Sequence, residues 1–256
     1  MPQVMTDSKS RKYSQSYFDG FADLSYDAAV TLLPDIFALY PFHSVVDFGC
    51  GSGGWLRAAN AIIPPDDPQR RLTGVDGPHA KTIAKCESAR FIFQDMEDRV
   101  SVEKHDLAIC LEVAEHLSPG RGETLIDDIC NSADVAFFGA AVDGQGGVDH
   151  LNEQAQSYWA KLFARRDYHP FIFHRVRHWN NPVFERCPFY IANSFLYIKE
   201  SHPLSSAIGH FRAGPNDILD VVHPNGLRLK KPENMPFRHI ARQLIPSLIG
   251  AIRRRF

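Results

Sequence analysis

The chain has 256 residues, 44% of them hydrophobic, and a formal net charge of -2 at pH 7. This length and apolar content suffice for one large domain with its own core, with or without an appendage. The near-neutral charge gives no reason to expect a nucleic-acid-binding protein, which usually presents a strongly basic face. Nor do we expect a membrane-spanning or secreted protein, because the sequence lacks both an apolar run of about 20 residues and a signal peptide.

The five cysteines are widely scattered and form no C-x-x-C pair. An odd number of dispersed cysteines is typical of reduced thiols, so we expect a cytoplasmic protein without disulfides.

Short apolar runs alternate with helical patterns along most of the chain. After a polar lead over residues 1–13, apolar spacing predicts a helix from Tyr26 to Tyr40, which Pro41 ends. Seven strands are predicted, over residues 44–48, 71–76, 90–95, 106–111, 134–141, 171–177 and 189–199. Runs such as 107–111 are apolar on both faces, as in parallel strands covered by helices. The pattern predicts an α/β fold with a doubly wound, Rossmann-like, seven-stranded and mostly parallel sheet, an N-terminal helical lead and a C-terminal helical appendage.

Residues 14–200 form the predicted domain, and residues 201–256 form the predicted appendage. The appendage ends in a basic amphipathic helix from about Phe237, interrupted by Pro246. Two interpretations of this helix stay open. It docks on the domain or on a partner subunit, or it lies on an anionic membrane surface, which would place the protein at the inner membrane face.

A glycine-rich loop follows the first strand in the sequence DFGCGSGGW, from Asp47 to Trp55. Glycines allow the backbone to turn tightly and approach a ligand, and the next helix directs free N–H groups to the strand end. The spacing fits two classes of cofactor site. Gly49, Gly51 and Gly54 match the dinucleotide pattern G-x-G-x-x-G, whereas Asp47 precedes glycines in the pattern D-x-G-x-G-x-G of S-adenosylmethionine sites.

Polar residues also lie at the carboxyl ends of the next three predicted strands. Asp76 suits the ribose of either cofactor. Asp95, in the run Gln94-Asp95-Met96, could accept from an adenine amino group while Met96 packs on the ring, or it could cap a helix near Glu97. The fourth strand leads into the acidic run LEVAEHL at residues 111–117.

DFGCGSG, Asp76, QDM and LEVAEHL, in this order and spacing, resemble class I S-adenosylmethionine-dependent methyltransferases. The segments GQGGVDHLNEQ, RHWNN and YIANSFLYIKE resemble a bacterial branch associated with glycan and cell-surface polysaccharide biosynthesis. The resemblance covers residues 14–200. It departs from the branch at PFYIAN, residues 188–193, where relatives tend to carry a Trp-Tyr and a Gln-Asn.

The resemblance implies that the loop glycines line the methionine end of the cofactor and that Asp47 anchors the loop. Asp76 would hold the ribose, and Asp95, Met96, Leu111 and Glu112 would frame the adenine. The expected cofactor is S-adenosyl-L-methionine, and its expected site consists of Asp47, Gly49, Cys50, Gly51, Gly53, Trp55, Asp76, Gln94, Asp95, Met96, Leu111 and Glu112.

Methyl transfer to a hydroxyl requires proton removal, for which a histidine near neutral pKa is well suited. His150 is the first candidate, oriented by Asp149 or Glu153, and His116 is the second, with Glu115 beside it. The alternative is that His150 and Asn152 only hold the loop and cap a helix from Glu153 to Phe163.

A metal site is a further alternative. Small-RNA 2′-O-methyltransferases resemble this pattern and hold a divalent ion with an E-x-x-E-H run and a later histidine, here Glu112, Glu115, His116 and His150. We expect no metal, because E-x-x-E-H is widespread in methyltransferases without one and the chain has no evident basic RNA track.

The expected activity is methylation of a hydroxyl, or less readily an amine, of a sugar, nucleotide-sugar or lipid-linked glycan. Aromatic residues that could contact such an acceptor are Tyr158, Trp159, Tyr190 and, as the preferred candidate, Trp179 in a loop. The rival functions are methylation of another small metabolite, metal-dependent RNA methylation, a non-catalytic S-adenosylmethionine-binding subunit and an NAD-dependent dehydrogenase.

Overall fold

A computed structural model of the protein describes residues 15–214 and 217–229, with the backbone alone at 15–23 and 227–229. The predicted polar lead at 1–13 and the predicted basic helix from Phe237 lie outside the described residues.

The described residues contain one seven-stranded sheet, with the order β3-β2-β1-β4-β5-β7-β6. Neighbouring strands pair in parallel except β7, which is antiparallel to β5 and to β6. The predicted fold class is confirmed. The strands are β1 (Ser44–Phe48), β2 (Arg71–Asp76), β3 (Arg90–Phe93), β4 (Leu107–Leu111), β5 (Val135–Gly139), β6 (Tyr168–Phe171) and β7 (Phe195–Lys199).

Helices cover both faces of the sheet, as expected for strands that are apolar on both sides. Phe137 and Phe138, adjacent on β5, pack in separate apolar clusters, one on each face. The helices are α1 (Gln15–Phe37), α2 (Gly54–Ile62), α3 (Pro119–Ser132), α4 (Gln156–Ala164), α5 (Phe173–His178), α6 (Phe189–Ala192), α7 (Pro203–Ala207) and α8 (Pro224–Leu229).

Two predicted strands were wrong over part of their length. Residues 173–178 form α5 rather than a continuation of β6, and residues 189–192 form α6 ahead of β7. The predicted helix from Glu153 begins later, at Gln156. Short apolar runs such as FYIA fit either a strand or a turn of helix, and their tertiary packing decides between them.

The segment after β7 packs on the sheet domain. Leu204 and Ile208 belong to one of the apolar clusters. The amide of Ala213 donates to the carbonyl of Pro170 at 2.9 Å, and Gln156 donates from Nε2 to the carbonyl of Val221 at 2.7 Å. Among the described helices, none combines the length and apolar character needed to cross a bilayer.

Candidate functional site

The strand order reverses between β1 and β4, so the loops that leave these two strands diverge to opposite sides. Open α/β sheets bind ligands in the crevice at this point, beyond the carboxyl ends of the strands. The glycine loop follows β1 and the LEVAEHL run follows β4, so both lie at the crevice.

The glycine loop holds three residues in conformations that favour glycine, Gly49, Gly51 and Gly53. Gly49 has φ +74°, and a Cβ there would lie 2.2 Å from Val113 Cγ2, so the loop packs directly against the segment after β4. Gly51 has φ +51°, and a Cβ there would meet nothing within 4 Å. The loop is therefore closed on its inner side and open in front of Gly51.

Asp47 lies beneath this loop and is 2% exposed. Its Oδ2 has no hydrogen-bond partner among the described residues, and burial together with the nearby Asp76 raises its pKa well above the usual range. The predicted anchoring of the loop by Asp47 stays a prediction. Buried carboxylate oxygens are normally paired, so this oxygen fits a donor group from outside the described residues.

Asp76 at the end of β2 links two loops. Its Oδ2 accepts from the amide of Gly51 at 2.6 Å, and its Oδ1 accepts from the amide of Gly77 at 2.6 Å and lies 3.3 Å from His79 Nε2. Each carboxylate oxygen has two lone pairs, so Asp76 keeps acceptor capacity for a ribose hydroxyl.

The run Gln94-Asp95-Met96 forms a turn directly after β3. Asp95 is exposed and its Oδ1 accepts from the amide of Glu97 at 3.0 Å. No helix follows at Glu97, so the alternative role of Asp95 as a helix cap is wrong. Met96 is 8% exposed, and Gln94 donates from Nε2 to the carbonyl of Arg99.

Besides Asp47, Asp76 and Met96, three more of the predicted cofactor residues have buried side chains. Trp55 makes edge contacts with Phe137 and Tyr190, with ring centroids 5.7 and 5.6 Å apart. Cys50 and Leu111 belong to the same apolar cluster. The side chains of Trp55 and Cys50 therefore contribute to the core.

Glu112 follows β4 with φ +57°, an uncommon conformation for a residue other than glycine, and such strain clusters at functional sites. Its carboxylate accepts from Gln145 Nε2 at 2.7 Å and from Asn193 Nδ2 at 3.0 Å, and burial raises its pKa to about 7. Asn193 Nδ2 also donates to Gln145 Oε1 at 2.8 Å. Sequence reasoning assigned no role to Gln145 or Asn193. For Gln145, the available sequence signal was its position as a polar residue among the glycines of the loop after β5.

Glu115, His116 and His150 come together beside this network. One ligand atom from each lies within 4.8 Å of the others, and the two imidazole rings meet edge to face with centroids 4.8 Å apart. Glu115 is fully buried, and neither of its carboxylate oxygens nor His116 Nδ1 has a hydrogen-bond partner among the described residues. Burial and the neighbouring His150 lower the pKa of His116 to about 4, so it is neutral at pH 7.

Glu153 orients His150. The sequence had left open whether Asp149 or Glu153 has this role. Glu153 Oε1 lies 2.7 Å from His150 Nδ1, and the two Glu153 carboxylate oxygens also accept from the amides of Gly144 and Gly146. A Cβ on Gly147 would lie 2.1 Å from His150 Nε2, so this glycine leaves room for the ring. The loop is therefore shaped around His150.

The chemistry of these donors fits a divalent ion only in part. A carboxylate and two imidazoles are suitable ligands for a transition metal, and the Glu153 contact resembles the carboxylate that commonly orients a ligating histidine. Glu112, the fourth residue of the metal alternative, is instead engaged by Gln145 and Asn193.

The aromatic acceptor candidates have different surroundings. Trp159 and Tyr190 are buried in the core, and Tyr158 Oη donates to Glu123 at 3.0 Å. Trp179 lies at the end of α5 rather than in an open loop, half-buried against His223 with ring centroids 4.7 Å apart. No acceptor pocket around Trp179 follows from these contacts.

No family model matches the sequence, and no curated protein matches it. The structure is similar to that of an O-methyltransferase family protein from Burkholderia thailandensis, at a TM-score of 0.51 and 12% identity over 65% of this chain and 59% of that one. It is also similar to a chain of a complex that contains the Haloferax volcanii Trm112 methyltransferase activator, at a TM-score of 0.52 and 14% identity over 76% of this chain and 98% of that one. The chain thus spans less than two thirds of the Burkholderia protein. At these identities the likeness shows the fold alone.

Proposed function

We propose that the protein is a class I S-adenosylmethionine-dependent methyltransferase. The observation that carries this proposal is the open space in front of Gly51, bounded by Asp76 and set above the buried Asp47 oxygen that has no partner among residues 15–214 and 217–229. These carboxylates also suit a cofactor that carries positive charge at its sulfonium and ammonium groups.

A dinucleotide-binding dehydrogenase fits less well. Its usual sheet has the strand order 3-2-1-4-5-6, whereas here the antiparallel β7 is inserted between β5 and β6. Asp95 and the LEVAEHL run at residues 111–117 also have no expected role at a nicotinamide-cofactor site.

When bound, S-adenosylmethionine supplies a methyl group already activated on sulfur, so the protein must mainly position an acceptor. Asp76 would hold the ribose, the turn at Asp95 and Met96 would hold the adenine, and the Gly49 to Gly53 loop would hold the methionine end. The strained Glu112, fixed by two amide side chains, lies at the end of β4 beside them.

His150 would remove the proton of the acceptor. A histidine whose Nδ1 faces a carboxylate is held in the tautomer that leaves Nε2 free to accept a proton. Glu153 provides this carboxylate at 2.7 Å. Because His150 lies on the loop after β5, it can reach over the same crevice as Glu112.

The acceptor that we propose is a hydroxyl, or less readily an amine, of a sugar, nucleotide-sugar or lipid-linked glycan. The support is the resemblance of the GQGGVDHLNEQ segment to the glycan-associated branch. Leu151, directly after His150, is 66% exposed and offers an apolar contact at this position.

A second candidate is a methyltransferase that requires a divalent metal. The observation in its favour is the convergence of Glu115, His116 and His150, with three buried atoms that lack hydrogen-bond partners within the described part of the chain. These residues would then hold the ion, whose chemistry would be to lower the pKa of an acceptor hydroxyl.

The first experiment is calorimetric titration of the protein with S-adenosylmethionine, S-adenosylhomocysteine and NAD, with and without Mn²⁺ after treatment with a chelator. We expect micromolar binding of the first two without metal, followed by turnover in a screen of nucleotide-sugars and glycans. Binding of NAD alone, or of none of the three, would contradict the proposal.

The role of His150 is tested with His150→Ala and Glu153→Gln, with the exposed His210→Ala as control. Loss of a general base should lower kcat by about 10²-fold or more while leaving cofactor affinity unchanged. Turnover that depends on Mn²⁺, and Mn²⁺ binding that His150→Ala abolishes, would favour the metal-dependent candidate instead.

A further inference from the structure

A buried ion pair on α3 lies on the side of the sheet where the turn after β3 is held. Arg121 is 5% exposed and Asp128 is 3% exposed. Arg121 Nη2 lies 2.8 Å from Asp128 Oδ2, an ion-pair contact rather than an aligned hydrogen bond. Neither residue belongs to the site described above.

Both members of the pair also bind the segment that follows Asp95. Arg121 donates from Nε to the carbonyl of Met96 at 2.7 Å. Asp128 accepts at Oδ2 from the amide of Val100 at 3.0 Å and at Oδ1 from Arg99 Nε at 2.6 Å. The two ends of residues 96–100 are thus fixed to one helix by charge-assisted contacts, which are stronger than neutral hydrogen bonds.

The segment also has contacts of its own, since Gln94 Nε2 donates to the carbonyl of Arg99 and Asp95 Oδ1 accepts from the amide of Glu97. Residues 94–100 form a turn without helix or strand, and Asp95 at its start is exposed. A second link joins its middle to the beginning of α3, where the Glu97 carboxylate accepts from the amide and the hydroxyl of Ser118 at 2.8 and 2.7 Å.

Burying an ion pair is seldom the most stabilising arrangement, because both charges lose their hydration. Replacing a buried ion pair by apolar residues of similar volume is often neutral or stabilising. Here the pair satisfies backbone groups at Met96 and Val100, which an apolar pair could not do. The arrangement therefore fixes the position of the turn in addition to packing α3.

We propose that Arg121 and Asp128 are positioning residues that set the adenine end of the cofactor site, an inference that rests on the proposed function. By holding Met96 and Val100, they keep the Asp95 carboxylate where it accepts from the adenine amino group. Fixing this geometry before binding saves the ordering cost that a loose turn would add. They make no contact with the adenine themselves.

The test compares Asp128→Asn and Arg121→Lys with a matched control, Asp127→Asn. Asp127 is the neighbouring residue on α3 and binds Arg166 Nε at 2.5 Å, away from the turn. Two ligands are titrated: S-adenosylhomocysteine, and its inosine analogue, in which a carbonyl replaces the adenine amino group. Amide hydrogen exchange of residues 94–100 is measured on the ligand-free proteins.

We expect the wild type and Asp127→Asn to prefer the adenine ligand by at least tenfold. In Asp128→Asn and Arg121→Lys the preference should fall below threefold, because adenine affinity is lost and inosine affinity changes little. Exchange of residues 94–100 should become at least tenfold faster in these two variants only. If Asp128→Asn does not fold, Arg121→Lys, which keeps the charge, carries the test.

An unchanged ligand preference in both variants would overturn the proposal, and so would an equal loss in Asp127→Asn, since that loss would reflect general destabilisation. Failure of the wild type to bind either ligand would instead refute the proposed function. The exchange measurement needs no ligand, so it reports on the positioning of the turn in either case.

Discussion

Gly51 affects both the backbone conformation of its loop and the space that a ligand can occupy. We predict that Gly51→Ala lowers the free energy of unfolding by about 1 kcal/mol, because its φ of +51° is unfavourable for alanine. The new methyl also enters the open space, so affinity for S-adenosylmethionine should fall at least tenfold. Chemical unfolding and calorimetric titration measure the two effects.

The control is Gly120→Ala on α3, where a Cβ also meets nothing within 4 Å but φ is ordinary. It should keep wild-type affinity and gain up to about 0.5 kcal/mol of stability. Equal affinity in the two variants would mean that the space before Gly51 is not the cofactor site.

Gly147 is a second single residue on which the site depends, because the imidazole of His150 lies directly beside it. A Cβ at this position would lie 2.1 Å from His150 Nε2, so Gly147→Ala must displace the imidazole. We predict that kcat falls at least tenfold while cofactor affinity is unchanged, because misplacing a catalytic group is costly even over short distances. The control is Gly209→Ala, where a Cβ meets nothing within 4 Å and φ is ordinary. If Gly147→Ala keeps full kcat, His150 is not the base.

At the scale of elements, α5 is joined to β7 through a buried histidine. His174 is 1% exposed, and its Nε2 lies 3.0 Å from Ser194 Oγ and 3.1 Å from the Ser194 carbonyl oxygen. Burial and the neighbouring Arg175 lower the pKa of His174 from 6.5 to about 3. The folded protein therefore keeps this imidazole neutral over a range in which the unfolded chain protonates it.

A lowered histidine pKa contributes stability above pH 6.5 that is lost as the pH falls toward the folded pKa of about 3. Between pH 7 and pH 4.5, the wild type should lose about 2 to 3 kcal/mol more unfolding free energy than His174→Gln, at about 1.4 kcal/mol per pH unit below 6.5. Urea titrations at several pH values, with the exposed His210→Gln as control, measure this. Parallel curves for wild type and His174→Gln would contradict it.

At the scale of the whole molecule, a ligand that binds only the folded state must stabilise it. S-adenosylmethionine at a hundredfold excess over Kd should raise the free energy of unfolding by about 2.7 kcal/mol. A chain that ends at residue 229 should show the same increase, because the cofactor site lies within the described residues. Thermal unfolding with S-adenosylmethionine or NAD tests both statements, and loss of the increase on truncation would place part of the site after residue 229.

The C-terminal segment is tested separately with anionic vesicles. We propose that its basic amphipathic pattern allows a peripheral membrane contact, so the chain that ends at residue 229 should sediment with the vesicles less than the full chain. Equal sedimentation of the two chains would end this proposal.

The sequence by itself determined the elements whose signals are local. β1, β2 and β4 were predicted at or within one residue of their bounds, because runs of apolar residues between turns define strands buried on both faces. The DFGCGSG loop was recognised for a similar reason, since the need for glycine depends on the local backbone. Asp76 and Glu112 were selected because Asp76 ends a predicted strand and Glu112 directly follows one.

Tertiary structure decided what depends on distant parts of the chain. The helical state of residues 173–178 and 189–192 came from packing, because short segments have no decisive periodicity. Glu112 contacts Asn193, which lies 81 residues later in the chain. His150 contacts His116 because of the path that the loop after β5 takes. Such contacts depend on which strands are neighbours, and local sequence patterns do not encode that order. The hydrogen bonds that Arg121 and Asp128 make with the turn after β3 also join distant parts of the chain, so the sequence patterns did not predict them.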